Sequence, residues 1–390
     1  MSGIAAYSTV HAAGADNLAS WQAILSGRSG LKPNTLDWCG LPTWIGEVAA
    51  ANDTALSAEL HGWDCRTHRL TWLALQATSF RRAVDDAVAR HGASRVGLVL
   101  GSSTAGIRST EVAYKHWREQ GHWPADFDYR RTHSLDALCR FSGGLLGLRG
   151  PMLTISTACS SSAKVFVVAQ RWMDVGLIDA AVVGGADSLC LTTLHGFNAL
   201  QLLSGEPCRP FDIARNGISI GEAAGLVLLD RAAAEVNLLG GGESSDAWHM
   251  SSPHPDGLGA QAAMRQALQA AGLGPQDIGY VNAHGTATPA NDRAEAAAMR
   301  AVFGANAVPV SSTKGITGHT LGAAGITEAI VAIQALEQQT LPPSANLAEI
   351  EPRLGLDVVM QPRRAKLRHA MSNSFGFGGT NCSLVFGRAP

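Results

Sequence analysis

The chain has 390 residues, of which 46% are hydrophobic and only 16% charged, so much of it must be interior. Its formal charge is −2, from 30 Lys+Arg against 32 Asp+Glu, with no run of five like charges, which argues against nucleic acid as the main partner. The length suggests two to three domains, or one duplicated unit around a large shared core.

No window of 18 apolar residues occurs, and the opening MSGIAAYSTVHAAG lacks a basic region followed by a continuous apolar one. A soluble cytoplasmic protein without membrane insertion is expected. The seven cysteines are odd in number and scattered, with no C-x-x-C pair and no histidine cluster at metal-ligand spacing. Neither a disulfide framework nor a metal site is therefore expected.

Short apolar runs ending in glycine-rich turns alternate with segments of helical period, the pattern of strands connected through helices. In chain order the expected strands cover 95–100, 152–156, 180–183, 226–229, 278–283, 308–312 and 370–374. The expected helices cover 69–90, 160–174, 260–271, 293–303 and 326–339. The class is α/β. Small residues broken by Gly240-Gly241-Gly242 suggest that 231–245 connects an N-terminal half, 1–230, to a C-terminal half, 231–390.

Four segments carry chemistry. In the first, a strand-like run meets Thr157-Ala158-Cys159 just before a helix. A thiol at a helix N-terminus has its pKa lowered by the dipole, as a nucleophile requires, although a small buried residue at a tight turn fits equally. In the second, His284 ends a strand with Gly285 directly behind it, a placement that suits catalysis or a satisfied structural imidazole. In the third, Lys314 and His319 lie five apart, and the phosphate-loop pattern G-x-x-x-x-G-K-[ST] is absent. In the fourth, MSNSFGFGGTN, Phe377 stands between two glycines in a loop that could move and aim N–H groups at an anion, or be a plain turn.

In this order T-A-C, N-A-H-G-T-x-T-P-x-x-D, S-S-T-K-x-x-x-G-H-x-x-G-A-A-G and N-S-F-G-F-G-G-T-N span essentially the whole chain. Together they resemble the elongating β-ketoacyl-acyl-carrier-protein synthases of the thiolase superfamily. The resemblance implies a five-layer αβαβα sandwich of two pseudo-symmetric halves, usually dimeric. It implies Cys159 as the acylated nucleophile, His284 and His319 serving malonyl decarboxylation, and Lys314 supporting the histidine pair. Phe377 becomes a gate whose N–H joins that of Cys159 in an oxyanion hole. Asp292, Glu295 and Glu328 stand where the family surrounds that lysine. The chemistry asks for these types on its own account: acyl transfer needs a thiolate and two N–H donors, and the enolate left by CO2 needs two neutral donors.

The pattern also discriminates. A second reactive cysteine, as in thiolases, is absent where Phe377 stands; His319 replaces the asparagine of initiating synthases; and Cys159 is retained, unlike in chain-length-factor subunits. Ser160-Ser161-Ser162 and the short GEPCRPFD segment resemble polyketide enzymes, including those of aryl-polyene pathways. Thr104 is expected to line the acyl pocket. Ser251, Ser252, Thr286 and Thr288 match positions that hold a phosphopantetheine arm, and Arg66, Arg69, Arg130, Arg131 and Arg209 are candidates for docking an acidic carrier protein. The expected partners are acyl carrier protein and a second ketosynthase-like subunit, identical or a chain-length factor; no cofactor beyond the carrier's own arm is implied. The competing readings are a non-catalytic partner subunit and a cysteine hydrolase.

Overall fold

A computed structural model of the chain describes residues 2–389. In the main sheet five strands build the first half: β1 (Ser2–His11), β2 (Val96–Gly101), β3 (Met152–Ile155), β4 (Ala180–Asp187) and β5 (Ala223–Asp230). Six build the second: β6 (Val236–Ser245), β7 (Tyr280–Asn282), β8 (Pro309–Ser311), β9 (Asp357–Val358), β10 (His369–Gly376) and β11 (Thr380–Arg388). They are hydrogen-bonded in the order β9-β8-β7-β10-β11-β6-β1-β5-β4-β2-β3.

The two halves repeat one topology. Strand β2 runs parallel to β3 and β4, β4 is antiparallel to β5, and β5 to β1. Likewise β7 runs parallel to β8 and β10, β10 is antiparallel to β11, and β11 to β6. Within the main sheet the halves join where Ser2 and Gly3 of β1 pair with Leu238 and Asn237 of β6.

Seven helices complete the layers: α1 (Arg66–Leu75), α2 (Thr78–His91), α3 (Ala137–Leu146), α4 (Ser161–Asp174), α5 (Leu258–Ala271), α6 (Pro289–Phe303) and α7 (Ala324–Gln338). Because side chains alternate across a strand, each sheet buries two faces. Leu98, Leu100 and Val182 pack outward on Leu70, Phe80 and Leu138 of α1–α3, while Val99 and Val183 face inward to α4 and α7. On the far side Leu384 and Phe386 cover the same central pair, and Val281, Met371 and Val385 face α5 and α6. The result is the expected five layers, helix, sheet, helix, sheet, helix. Helix α7 is buried without interruption from Ala324 to Leu336, as a helix between two sheets must be.

Two expectations need correction. The continuous helix over 69–90 is two helices, because Ala77 adopts extended geometry (φ −62°, ψ 105°) between them. The connection over 231–245 is largely strand β6. Its glycines are there for close approach: a Cβ on Gly242 would lie 2.1 Å from the carbonyl oxygen of Ala263, and one on Gly241 2.6 Å from Val167. Glycine lets two helices lie directly on this strand.

Candidate active site

Cys159 follows β3 and precedes α4, whose first residue is Ser161. Ala158 takes a left-handed conformation (φ 51°), turning the chain sharply so that the thiol faces the interface between the halves. The turn is braced locally: Ser161 Oγ accepts from the Thr157 N–H at 2.9 Å, and Ser160 Oγ donates to the Thr157 carbonyl at 2.9 Å. It is braced again from the second half, where Thr380 Oγ1 donates to the same carbonyl at 3.0 Å.

His284 follows β7, and Lys314 and His319 follow β8, which is the counterpart of β3. The pseudo-repeat therefore brings the ends of corresponding strands to one place. His319 Nε2 lies 3.0 Å from Cys159 Sγ. The rings of His284 and His319 meet edge to face with centroids 5.3 Å apart, and one donor atom from each of Cys159, His284 and His319 lies within 4.8 Å of the others.

Lys314 is buried and donates to the His284 carbonyl oxygen at 2.5 Å, and its Nζ lies 3.4 Å from His284 Nδ1. It also pairs with Glu328 of α7. An ammonium has no acceptor, so Nδ1 of His284 must be the bare nitrogen and Nε2 carries the proton. His319 differs, because its Nδ1 is buried without a hydrogen-bond partner among the described residues. Its tautomer is not locked.

Burial, and then the charge of Lys314, hold both imidazoles well below the ordinary histidine pKa, so they are neutral at pH 7. The thiol departs from expectation. Burial pushes Cys159 up to about 11, while the charge of Lys314 and the N–H of Phe377 pull the other way without prevailing. The helix end is present, but taking a thiolate out of water costs more than it returns.

The carboxylates have separate tasks. Glu328 faces Lys314, and burial raises its pKa against the pull of that ammonium. Glu295 accepts from the N–H groups of His284 at 2.8 Å and Gly285 at 2.7 Å, fixing the backbone that carries the imidazole; burial raises it to about 7. Contrary to expectation, Asp292 does not join Lys314. It accepts from the N–H groups of Phe211 at 2.9 Å and Ala287 at 3.2 Å, and forms an ion pair with Arg215, whose Nε lies 3.2 Å away.

A cavity of about 90 Å³ opens onto Cys159, His284, His319 and Phe377. Ser251, Ser252, Thr286 and Thr288 also line it. Thr286 and Thr288 bond each other through their hydroxyls at 2.9 Å. Phe377 packs on Phe197, with centroids 5.3 Å apart, in a turn where Gly378 (φ 77°) and Gly379 (φ 73°) need left-handed backbone.

Thr104 is not on this wall. Its N–H and Oγ1 donate to Asp187 Oδ1 at 3.0 and 2.8 Å, so its hydroxyl is spent on a buried carboxylate. Asp187 itself escaped the sequence reading. At the end of β4, and fully buried, it also accepts from Ser102 Oγ, from Ser103, and from the Gly322 N–H at 2.6 Å, tying the His319 loop to the first half. Its signal was there, a carboxylate at the end of a buried strand, the same position that marks Cys159 and His284.

The arginines divide likewise. Arg66 is withdrawn from docking, because it forms an ion pair with the fully buried Glu222 at 2.5 Å and also reaches Glu47. Arg69 is bound through two nitrogens to Asp64, each at 2.6 Å, and Arg209 pairs with Glu206. Arg130 and Arg131 are exposed, and Arg131 reaches over the Trp63 ring at 5.8 Å.

Comparison with known proteins agrees with this architecture. Residues 3–235 match the β-ketoacyl synthase N-terminal domain and residues 236–348 the β-ketoacyl synthase C-terminal domain. The chain is 35% identical to 3-oxoacyl-[acyl-carrier-protein] synthase 2 of Vibrio cholerae, covering 95% of this chain and 94% of that protein. It is 35% identical to nodulation protein E of Rhizobium meliloti, covering 94% and 98%. Among solved structures it is similar to the ketosynthase ApeO in complex with its chain length factor ApeC from Xenorhabdus doucetiae, at 38% identity and TM-score 0.92, over 100% of this chain and 98% of that one. The ishigamide ketosynthase/chain length factor superposes with TM-score 0.89 at 27% identity, over 100% and 99%. The fold and the paired domains define a condensing enzyme of the thiolase-like class. The chain belongs to the β-ketoacyl synthase family.

Proposed function

We propose that this β-ketoacyl synthase condenses an acyl group held on Cys159 with malonyl-acyl carrier protein, and that each half-reaction uses the same imidazole in a different tautomer. The observation that carries the reading is the 3.0 Å approach of His319 Nε2 to the thiol beside a second imidazole whose tautomer Lys314 fixes. In the first step the Cys159 S–H donates to His319 Nε2 and its sulfur attacks the acyl thioester. The carrier's sulfur leaves with the proton, and the N–H groups of Cys159 and Phe377 face the developing oxyanion.

In the second step malonyl loses CO2, and the electron pair passes to the thioester oxygen as an enolate. Nε2–H of His284, and Nε2–H of His319 in its other tautomer, donate to that oxygen. The enolate carbon then attacks the acyl carbonyl, forming the carbon–carbon bond and releasing the Cys159 thiolate. Two neutral donors serve here better than an imidazolium, which would protonate the carbanion. Lys314, held by Glu328, keeps them neutral and aimed, and Glu295 and Asp292 hold the loop behind His284. Ser251, Ser252, Thr286 and Thr288 are proposed to guide the phosphopantetheine arm, and Arg130 and Arg131 to meet the carrier.

The division into halves at Asp230 is supported by the repeated topology, with β5 ending there. A polyketide-type pathway, aryl-polyene synthesis among its forms, and a chain-length-factor partner in place of a second identical subunit are favoured by the Ser160–Ser162 signature and by the likeness to ApeO. The test is incubation with acyl-carrier protein and malonyl-carrier protein. A β-ketoacyl product lost in Cys159→Ala supports the proposal; free acid alone would indicate a hydrolase, and no reaction a non-catalytic subunit.

A further inference from the structure

We propose that Cys159, His284 and His319 form a latent thiolate and bis-imidazole site for a divalent cation such as Zn2+, and that Lys314 holds it closed. Three ligand atoms of the right types, all buried, converge within 4.8 Å although they come from segments 125 and 35 residues apart. Zinc bonds sulfur at about 2.3 Å and imidazole nitrogen at about 2.0–2.1 Å, so a tetrahedral S···N edge is about 3.6 Å. The observed 3.0 Å between Sγ and Nε2 needs only a slight opening to reach it. All three residues line one cavity of about 90 Å³, which has room for a water as fourth ligand.

A metal-bound imidazole presents a bare nitrogen and donates its other N–H to an acceptor. His284 faces the opposite: its Nδ1 meets the ammonium of Lys314 at 3.4 Å. A cation on Nε2 would require the ring proton to move to Nδ1 and point at Nζ, and a cation on Nδ1 would have to displace the ammonium. Like charge adds to both. Cation uptake would also release the Cys159 proton to solvent, so binding would silence the nucleophile. Lys314 thus has a second role in the site, excluding thiophilic metal from a triangle that would otherwise capture it.

The test needs no turnover, so its outcome is separate from that of the condensation assay. Zn2+ at micromolar concentration should leave alkylation of Cys159 by iodoacetamide unchanged in the wild type. In Lys314→Met and Lys314→Gln it should slow alkylation by about 10–100-fold, the range that neighbouring partners of metal ligands contribute. With Co2+ as probe, the same variants should gain a thiolate-to-cobalt absorption that disappears in Lys314→Met/Cys159→Ala. Three outcomes would overturn the proposal: protection of the wild-type thiol by micromolar Zn2+, which is readable even if the variants fail to fold; equal metal sensitivity of wild type and variants; or cobalt absorption that survives removal of Cys159.

Discussion

Asp187 Oδ2 and the backbone N–H of Gly322 are 2.6 Å apart, a hydrogen bond between residues 135 positions apart that anchors the turn carrying His319. Asp187 is fully buried and has no basic partner among the described residues, so its charge is carried by hydroxyl and N–H donors alone. Removing one such donor from a buried acceptor costs about 1–3 kcal/mol. Thr104→Val, which keeps shape and deletes the hydroxyl, should therefore lower unfolding free energy by about that amount and leave acyl chain length unaltered. Denaturant melts and a product profile check it. A shortened chain with unchanged stability would return Thr104 to the pocket wall.

The neutral imidazoles set the acid side of the pH profile. Both folded-state pKa values are depressed, so both rings stay neutral at the pH where unfolded histidine begins to charge. By sign, the stability they contribute is present above about pH 6.5 and is lost as pH falls below it, where the unfolded chain binds protons first. Catalysis fails only further down, at the depressed folded-state pKa, because a protonated ring no longer meets an enolate as a neutral donor. Lys314→Met removes one cause of the depression and leaves burial. The acid limb of CO2 release from malonyl-carrier protein should therefore move to higher pH, besides the rate falling. An unmoved limb in a folded variant would show that the charge of Lys314 does not act on the pair.

Arg66 yields a prediction opposite to its expected role. Its partner Glu222 is completely enclosed and also accepts from the N–H groups of Val48 at 2.9 Å and Leu189 at 3.1 Å. Arg66→Ala leaves that carboxylate uncompensated, and breaking a buried pair in this way costs about 3–5 kcal/mol. A drop in melting temperature is expected, with KM for carrier protein little changed in the protein that remains folded. An Arg66→Ala enzyme of normal stability and a much higher KM would restore the docking role.

Much of this was legible in the sequence because it is local. Strand ends marked by Cys159, His284 and the Lys314–His319 pair were readable as motifs, and the alternation of apolar runs gave the class. What escaped depends on distant partners. Arg66 and Glu222 lie 156 residues apart, and Thr104 meets Asp187 across 83, so neither pairing has a spacing to read. The thiol's direction of shift escaped for a related reason: a helix N-terminus is visible in sequence, whereas the burial that outweighs it belongs to the assembled halves. Gly240-Gly241-Gly242 misled because glycine serves both connections and crowded strands, and only the helices packed on β6 distinguish them.

The coupling of the Phe377 turn to the nucleophile is tested by Cys159→Gln. The Phe377 N–H faces Cys159, so a glutamine amide oxygen at that position would take the donor much as an acyl thioester carbonyl would. Phe377 meanwhile rests on Phe197, in a turn with two left-handed glycines, one of which has open space around it. An occupied oxyanion hole should therefore release the ring and open the malonyl side, with no acyl group present to be attacked. His284 and His319 remain intact. The glutamine variant should make no condensation product yet release CO2 from malonyl-carrier protein faster than Cys159→Ser, whose hydroxyl is too short to fill the hole. Equal or slower release from the glutamine variant, measured with labelled malonyl, would mean that the turn does not respond to occupancy of the hole.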